Sequence, residues 1–282
     1  MAQEVSSSVE KRQIGVALCG FGRAGQIHFN GLRVSHRCVL KYVVDQVEDT
    51  QVSERIRSIL TTYNMDSITK LVGIDEYQSV VLKDPEVHAV VVATPTFTHE
   101  DYVRKALEAG KAVFCEKPIA ADMKAIASCY DAAARANLPL FCAFNRRFDP
   151  GMAKVQQQVR EGKIGQIYQI KTTSRDSPRP SIDYIKISHG MYHDCAVHDI
   201  DMVCWVVGEE PVGVLAQGVT FDPEIKAVGD VDTIAIILKF PSGVLATIDL
   251  SRHSSYGYDQ RLEVKMRVMI VGNLTSARVD IC

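Results

Sequence analysis

The sequence lacks the features that would place it outside the ordinary globular proteins. It has one tryptophan, no C-x-x-C pair among its eight cysteines, and no run of about 18 apolar residues. Neither sign of charge dominates, since Lys and Arg number 32, Asp and Glu number 34, and the net charge is -2. We therefore expect neither a zinc-binding module nor a membrane span nor a nucleic-acid-binding surface. A small-molecule ligand is the more natural partner.

The eight cysteines are interpreted as reduced thiols of a core, because their spacings match no structural metal site. The first thirteen residues, MAQEVSSSVEKRQ, are polar and carry no apolar segment of the kind found in signal peptides. We therefore expect a cytoplasmic protein with no membrane association.

The first half of the chain alternates short apolar runs with amphipathic segments. Strands are predicted at 14–20, 39–45, 87–94, 111–117 and 138–144, and the two clearest helices at 98–110 and 122–136. This alternation is typical of an α/β fold, a doubly wound parallel sheet of the Rossmann type, which we assign to residues 1–144.

The second half, residues 145–282, shows a different pattern. A helix near 150–161 precedes a strand at 164–173, a loop at 175–189 and a helix at 190–207, and three strands follow at 212–221, 231–240 and 243–251. Successive strands after helices predict an α+β domain with a mainly antiparallel open sheet.

A G-x-G-x-x-G motif follows the first predicted strand and begins a helix. Its residues are Gly20, Phe21, Gly22, Arg23, Ala24 and Gly25. Such a turn lets a pyrophosphate approach the backbone at a helix N-terminus, although glycines alone can also make a simple turn. Asp45 ends the next strand, where a carboxylate would bind ribose hydroxyls and repel a 2'-phosphate. Because no Lys or Arg lies between Asp45 and Arg55 to pair with a 2'-phosphate, these residues predict NAD rather than NADP.

Two further segments end predicted strands at the same edge of the sheet. Thr94 and Pro95 follow one strand, and they either contact the cofactor or form a turn before a helix capped by Thr98. Glu116, Lys117 and Pro118 end the next strand, where the lysine would face the nicotinamide end of a dinucleotide. The alternative is a surface lysine before a turn-forming proline.

A polar row lies in the predicted helix at 190–207. Asp194, His198 and Asp201 are spaced i, i+4, i+7 and so share one face of an α-helix, beside an apolar stripe of Met191, Cys195, Met202 and Val206. A carboxylate beside an imidazole can orient the ring as a proton acceptor. Two alternative interpretations are an incidental Asp–His pair on the helix surface and a metal site formed by His193, Asp194 and His198. The sequence contains no H-E-x-x-H spacing that would support the metal site.

Taken together, these motifs resemble the Gfo/Idh/MocA oxidoreductase family, and most closely its inositol 2-dehydrogenase branch. The resemblance extends from about residue 12 to about 264 and rests on GFGRAG, Asp45, Glu116-Lys117-Pro118, the segment NRRFD at 145–149 and D-x-x-x-H-D-I-D at 194–201. It implies an NAD-dependent dehydrogenase that acts on a secondary hydroxyl of myo-inositol or a related cyclic polyol or sugar.

The resemblance also implies the roles of individual residues. Lys117 would hydrogen-bond the reacting oxygen, His198 would take its proton, and Asp194 would orient His198 or bind a neighbouring hydroxyl. Arg146 and the loop 174–176 would add cofactor and polyol contacts. The Lys117–Pro118 peptide would be cis, and a dimer or tetramer would form through the open face of the second sheet.

This sequence departs from the family pattern at two places. His189-Gly190 stands where relatives carry two glycines, which predicts crowding of the substrate loop. Residues 265–282 do not resemble the strands and helix that the family has there, so we expect exposed apolar surface or an open strand edge. Alternatives to the dehydrogenase are a catalytically weak NAD-binding sensor or scaffold, dihydrodiol oxidation, and NAD-assisted glycoside cleavage.

Overall fold

The computed structural model describes residues 13–266 and the backbone of residues 270–273. The chain divides into two compact units at the bond between Ala143 and Phe144. Residues 1–12, 267–269 and 274–282 lie outside the described residues. The prediction about a signal peptide and part of the prediction about the chain end concern these segments.

The N-terminal unit is a six-stranded, wholly parallel sheet with helices on both faces. Its strands have the spatial order β3-β2-β1-β4-β5-β6 and are β1 (Ile14–Cys19), β2 (Cys38–Asp45), β3 (Lys70–Gly73), β4 (Ala89–Val92), β5 (Ala112–Cys115) and β6 (Leu140–Cys142). The helices are α1 (Arg23–Arg33), α2 (Thr50–Thr62), α3 (His99–Glu108) and α4 (Met123–Ala136). The doubly wound prediction is confirmed.

The central strands of this sheet are buried on both faces. Along β1, Ala17 and Cys19 pack into one apolar cluster, with α3 and α4, and Val16 and Leu18 pack into a second cluster, with α1 and α2. Strands buried in this way carry near-continuous apolar runs, which is why the sequence reveals them. The strand β3 was not predicted, because its four residues form no such run.

The C-terminal unit has a mixed, mainly antiparallel sheet of order β12-β11-β7-β10-β9-β8, in which only the pair β7 and β10 is parallel. Its strands are β7 (Gln169–Arg175), β8 (Gly213–Val219), β9 (Thr233–Lys239), β10 (Leu245–Ser251), β11 (Asp259–Lys265) and β12 (Ile270–Asn273). The helices are α5 (Pro150–Arg160), α6 (Ile182–Ile187), α7 (Val197–Val207) and α8 (Pro223–Ala227). The α+β prediction is confirmed.

One face of this sheet carries the core of the unit. Side chains from β9, β10 and β11 form a single apolar cluster with α5 and α7. The helix α5 begins where the sequence predicts, because Asp149 accepts the Met152 N–H and Pro150 occupies the first turn. Met191, Met202 and Val206 of the predicted apolar stripe are buried in the cluster, and Cys195 packs against it.

Four local features of the C-terminal unit differ from the predictions. The strand predicted at 164–173 lies at 169–175, and Ile167 is buried without belonging to the strand. The predicted loop contains α6, and β11 and β12 follow β10 in a segment for which no strand was predicted. A π-turn at Tyr192–Ala196 precedes α7, so the segment from 190 to 207 is not one regular α-helix.

None of the seven described cysteines forms a disulfide. Burial raises the pKa of the Cys19 and Cys115 thiols well above the ordinary value, which makes them unreactive components of the core. Among the described helices, none is both long and apolar enough to cross a membrane.

Candidate active site

The glycine motif forms a close turn between β1 and α1. Gly20 has φ +86°, and a Cβ on it would lie 2.5 Å from the carbonyl oxygen of Ala93. A Cβ on Gly25 would lie 2.0 Å from the Gly20 carbonyl oxygen, whereas a Cβ on Gly22 would meet no atom within 4 Å. The fold therefore requires two of the glycines, and the third leaves open space at the N-terminus of α1, where a pyrophosphate is attracted by backbone N–H groups.

The other residues of the motif contribute differently. The Phe21 side chain is fully buried and meets the Phe29 ring edge-on at 5.2 Å, so only its main chain can face a cofactor. Arg23, the first residue of α1, is exposed, and Ala24 is half-buried. An exposed cation beside the open turn favours an anionic ligand.

Asp45 ends β2 and is tied to the same turn. Its carboxylate accepts hydrogen bonds from the Phe21 N–H at 2.6 Å and the Gln46 N–H at 2.7 Å. A carboxylate has about four acceptor positions, so Asp45 retains capacity for ribose hydroxyls. The arrangement fits a dinucleotide.

Arg55 lies closer to the glycine turn than its position in the sequence suggested. From α2 it reaches back to the glycine turn, with Nη2 3.5 Å from the Phe21 carbonyl oxygen. The premise that no cation lies near the ribose-binding position is therefore wrong. The negative charge of Asp45 remains the feature that favours NAD.

Two turns follow β4 and β5 at the carboxyl edge of the sheet. Thr94 and Pro95 form the first, and the hydroxyl of Thr98 lies 2.7 Å from both Thr94 Oγ1 and the Pro95 carbonyl oxygen. Thr98 occupies the N-cap position of α3, but its side chain caps no helix N–H. The alternative prediction of a turn before an N-cap at Thr98 is therefore correct in position, but the cap lacks its side-chain hydrogen bond.

The second turn carries Glu116, Lys117 and Pro118. The Glu116 carboxylate lies 2.7 Å from His28 Nε2 of α1, so it is fixed against the helix that begins at the glycine turn. Lys117 is half-buried, and the Lys117–Pro118 peptide is cis, as predicted. The predicted residues of the N-terminal unit thus lie at the carboxyl ends of β1, β2, β4 and β5, the edge at which doubly wound sheets bind ligands.

In the C-terminal unit, Asp194 lies in the π-turn and is held by two side chains. The Tyr184 hydroxyl donates to its Oδ1 at 2.7 Å, and Arg252 Nη1 lies 3.5 Å from its Oδ2. Arg252 is completely buried, and its Nη2 lies 3.3 Å from Asp230 Oδ2. The carboxylate of Asp194 is therefore fixed beside a permanent positive charge.

His198 and Asp201 lie in α7 and have different surroundings. The half-buried His198 ring meets the Phe144 ring edge-on, with centroids 6.3 Å apart. Asp201 instead receives two hydrogen bonds from the Arg147 guanidinium, at 2.9 Å and 2.5 Å. The prediction of one regular helical row is wrong because the π-turn contains Asp194, and Asp201 belongs to a separate ion pair.

Arg146 belongs to a buried polar network. Its Nη1 lies 3.0 Å from the carboxylate of Asp199, which is 1% exposed, and 3.3 Å from Ser174 Oγ. Ser174 also approaches Gln260 at 2.9 Å. The loop expected at 174–176 is in part strand, because Ser174 and Arg175 end β7.

His189 adopts a backbone conformation that suits glycine. Its φ is 62°, and Gly190 follows with φ 86°. An L-residue in this region is strained, so the glycine pair expected here has a physical reason. The His189 side chain is exposed.

The sequence analysis missed Tyr184 and Arg252, which hold Asp194, and Asp230, which pairs with Arg252. They lie 10, 58 and 36 positions from Asp194, on α6 and at two turns, and no local pattern connects them. Within the described part of the chain, no cluster of three or more His, Cys, Asp or Glu side chains could hold a metal ion.

Comparison with known proteins identifies the class. Residues 14–144 match the model of an oxidoreductase family with an NAD-binding Rossmann fold, and residues 152–267 match the GFO/IDH/MocA C-terminal domain. The N-terminal unit is therefore an NAD-binding Rossmann domain of an oxidoreductase.

The chain is similar to several inositol dehydrogenases. It is 38% identical to a myo-inositol 2-dehydrogenase of Thermotoga maritima over 250 residues, which cover 88% of this chain and 72% of the relative. It is 37% identical to an inositol 2-dehydrogenase of Rhizobium meliloti, over 88% of this chain and 71% of the relative. The crystal structure of scyllo-inositol dehydrogenase from Lactobacillus casei with bound NAD(H) and scyllo-inositol is 26% identical, with a TM-score of 0.79 over 92% of this chain and 76% of that one.

The chain belongs to the Gfo/Idh/MocA oxidoreductase family. The family resemblance predicted from the sequence is confirmed, and so is NAD as the cofactor.

Proposed function

We propose that this protein oxidises a secondary hydroxyl of myo-inositol or a related cyclic polyol to the ketone, with NAD as the oxidant. The observation that carries the proposal is the 38% identity with a myo-inositol 2-dehydrogenase over 88% of the chain. The open glycine turn and the Asp45 carboxylate support the cofactor assignment, as described above.

The cofactor would be held by the N-terminal unit. Main-chain groups of residues 20–25 would bind the pyrophosphate, Asp45 the ribose hydroxyls, and the turns with Thr94, Pro95 and Glu116 the remaining part. When bound, NAD supplies the two-electron acceptor for the hydrogen on the carbinol carbon.

Three side chains would act on the substrate hydroxyl. The Lys117 ammonium donates a hydrogen bond to the reacting oxygen, which stabilises negative charge as the proton leaves. His198 accepts that proton, because a neutral imidazole is a base near neutral pH. Asp194 orients the imidazole or binds a neighbouring hydroxyl, and its anchoring by Tyr184 and Arg252 limits its movement.

Arg146 would add a further contact to the cofactor. Its guanidinium has five donors, and the bonds to Asp199 and Ser174 use only some of them. The network would then hold Arg146 in place for a second partner.

The test follows NADH absorbance with myo-inositol, scyllo-inositol, other cyclic polyols and a dihydrodiol. Lys117→Ala and His198→Ala should each lower kcat by ~10²- to 10⁴-fold, the usual contribution of such groups, while both retain NAD binding. Lys105→Ala, which removes a surface ion pair on α3, and His193→Ala, at an exposed position in the π-turn, are matched controls and should retain turnover.

If the folded wild-type chain binds NAD but oxidises no member of the panel, the dehydrogenase function is wrong and an NAD-binding sensor or scaffold replaces it. If the enzyme oxidises only the dihydrodiol, the proposed polyol substrate is wrong and the protein is a dihydrodiol dehydrogenase.

We also propose a homo-oligomer, a dimer or a tetramer, in the cytoplasm. Exposed apolar side chains on β8 and β9 support assembly, since Val214, Leu215 and Ile237 are 71%, 59% and 42% exposed. Light scattering of the purified protein, compared with Ile237→Lys, tests this: a monomeric wild type contradicts it.

A further inference from the structure

His99, the first residue of α3, is buried and contacts main-chain oxygens through both ring nitrogens. Only 1% of the residue is exposed. Its Nδ1 lies 2.7 Å from the Pro118 carbonyl oxygen, and its Nε2 lies 2.8 Å from the Thr94 carbonyl oxygen. Both distances are those of ordinary hydrogen bonds.

These two contacts together restrict the protonation state of the ring. A carbonyl oxygen only accepts, and a neutral imidazole carries a single N–H, so it can satisfy only one of the two oxygens. Two simultaneous hydrogen bonds require the doubly protonated imidazolium. Bonds donated by a charged group are also the stronger kind, which offsets part of the cost of burying the charge.

The charged side chains near His99 in the chain are committed elsewhere. Glu100 and Asp101, next in α3, pair with Arg104 and Lys105 one turn further on. Glu116, in the turn after β5, pairs with His28. The hydrogen-bond partners of the His99 ring are therefore main-chain carbonyls rather than carboxylates.

The two carbonyls belong to the two turns that carry proposed site residues. Thr94 follows β4, and Pro118 follows Lys117 after β5, and the two strands are adjacent and parallel. The ring therefore connects the turn assigned to the cofactor with the turn that presents the proposed catalytic lysine.

We propose that His99 is a positioning residue, held as an imidazolium, that fixes the Lys117–Pro118 turn to the Thr94–Pro95 turn. This inference rests on the proposed function in one respect, the role of Lys117 at the reacting oxygen. His99 touches neither substrate nor cofactor in this scheme and acts through the main chain of the two turns.

The charge state is tested on the wild-type protein by ¹⁵N NMR of labelled histidine at neutral pH, with His99→Gln used to assign the signal. Both His99 ring nitrogens should carry hydrogen. His88 is an internal reference for the neutral ring, because its Nδ1 accepts the Gly15 N–H at 2.9 Å. A His99 ring with one unprotonated nitrogen would overturn the inference, whatever the activity data show.

The positioning role is tested by His99→Leu and His99→Gln. Loss of both bonds in His99→Leu should lower kcat by ~10- to 100-fold, as small displacements of catalytic groups do, with a much smaller change in the Kd for NAD. His99→Gln should recover part of kcat, because one amide nitrogen still offers two N–H donors. His88→Gln is the matched control, because His88 lies at the amino end of β4, away from the turns that follow the strands. This variant should leave kcat unchanged.

Thermal unfolding by circular dichroism establishes that each variant is folded. A folded His99→Leu variant with wild-type kcat overturns the positioning role. If Lys117→Ala retains full turnover, the proposed role of Lys117 fails separately, and a doubly protonated His99 ring still supports the connection between the two turns.

Discussion

The two units place their candidate functional groups by different means. In the N-terminal unit the site consists of turns that directly follow β1, β2, β4 and β5, so main-chain geometry creates it. In the C-terminal unit the candidate side chains are held by ion pairs between distant positions, such as Arg252 with Asp194 and Arg146 with Asp199. A main-chain site is encoded locally, whereas a side-chain site depends on partners that only the fold brings together.

The energetic consequences also differ. Arg252 and Asp199 are 0% and 1% exposed, so each depends on opposite charge for its burial. The glycine turn buries no charge and depends instead on the absence of Cβ atoms. The first arrangement is sensitive to charge removal, and the second to added volume.

Removal of the Arg146 charge is the strongest test of this comparison. Arg146→Met leaves the Asp199 carboxylate buried without its cation, and the free energy of unfolding should fall by ~3–5 kcal/mol. Urea denaturation measures the change. Asp199→Asn in the same background should restore part of the lost stability. If the stability losses of the two single variants simply add in the double variant, the ion-pair explanation is wrong.

Added volume in the glycine turn should separate folding from binding. Gly25→Ala places a Cβ 2.0 Å from the Gly20 carbonyl oxygen and should lower the free energy of unfolding by ~1–3 kcal/mol or more. Gly22→Ala meets no atom within 4 Å, so it should leave unfolding unchanged and weaken NAD binding.

Calorimetry of NAD binding and urea denaturation measure both properties, with Gly31→Ala, an unobstructed position on α1, as the control. If Gly22→Ala and Gly25→Ala lower the free energy of unfolding equally, the proposal that Gly25 serves the fold and Gly22 serves NAD binding is wrong.

Asp45 tests whether the cofactor preference depends on a single carboxylate. Asp45→Asn removes charge-assisted bonds to the ribose, and the Kd for NAD should rise by ~10- to 100-fold, with a smaller change for NADP. Glu48→Gln removes the same charge from an exposed position nearby and should have no effect. If Asp45→Asn leaves the ratio of the NAD and NADP affinities unchanged, Arg55 or another group sets the preference.

The smallest effect is expected at Asp259 in the C-terminal unit. Hydrogen bonds from Arg261 hold the pKa of this carboxyl below its usual value, and the Tyr256 hydroxyl adds to the effect. Because the folded pKa is the lower one, Asp259 stabilises the fold above the unfolded pKa of about 3.9, and this stabilisation is lost as the pH falls through the folded pKa.

Urea denaturation from neutral to acid pH should therefore show a steeper loss of stability in the wild type than in Asp259→Asn. The difference should be below ~1 kcal/mol, since the partner Arg261 is 42% exposed. Identical pH dependence in the two proteins would show that Asp259 has no share in acid unfolding.

Much of the fold was predictable from local patterns. Strands buried on both faces appear as apolar runs, and α4 and α5 are preceded by the N-cap residues Asp122 and Asp149, whose side chains accept helix N–H groups. The short β3, the π-turn before α7 and the position of β7 were not predictable, because pairing and burial decide them rather than propensity.

Local sequence is enough to specify the glycine turn, the carboxylate after β2 and the lysine after β5, because each depends on residues close together in the chain. Other pairings arise only in the folded chain: Arg252 lies beside Asp194, Asp199 beside Arg146, and His99 between two carbonyls. The physical reason is that buried polar groups must find partners wherever the fold supplies them, and those partners have no fixed separation along the chain.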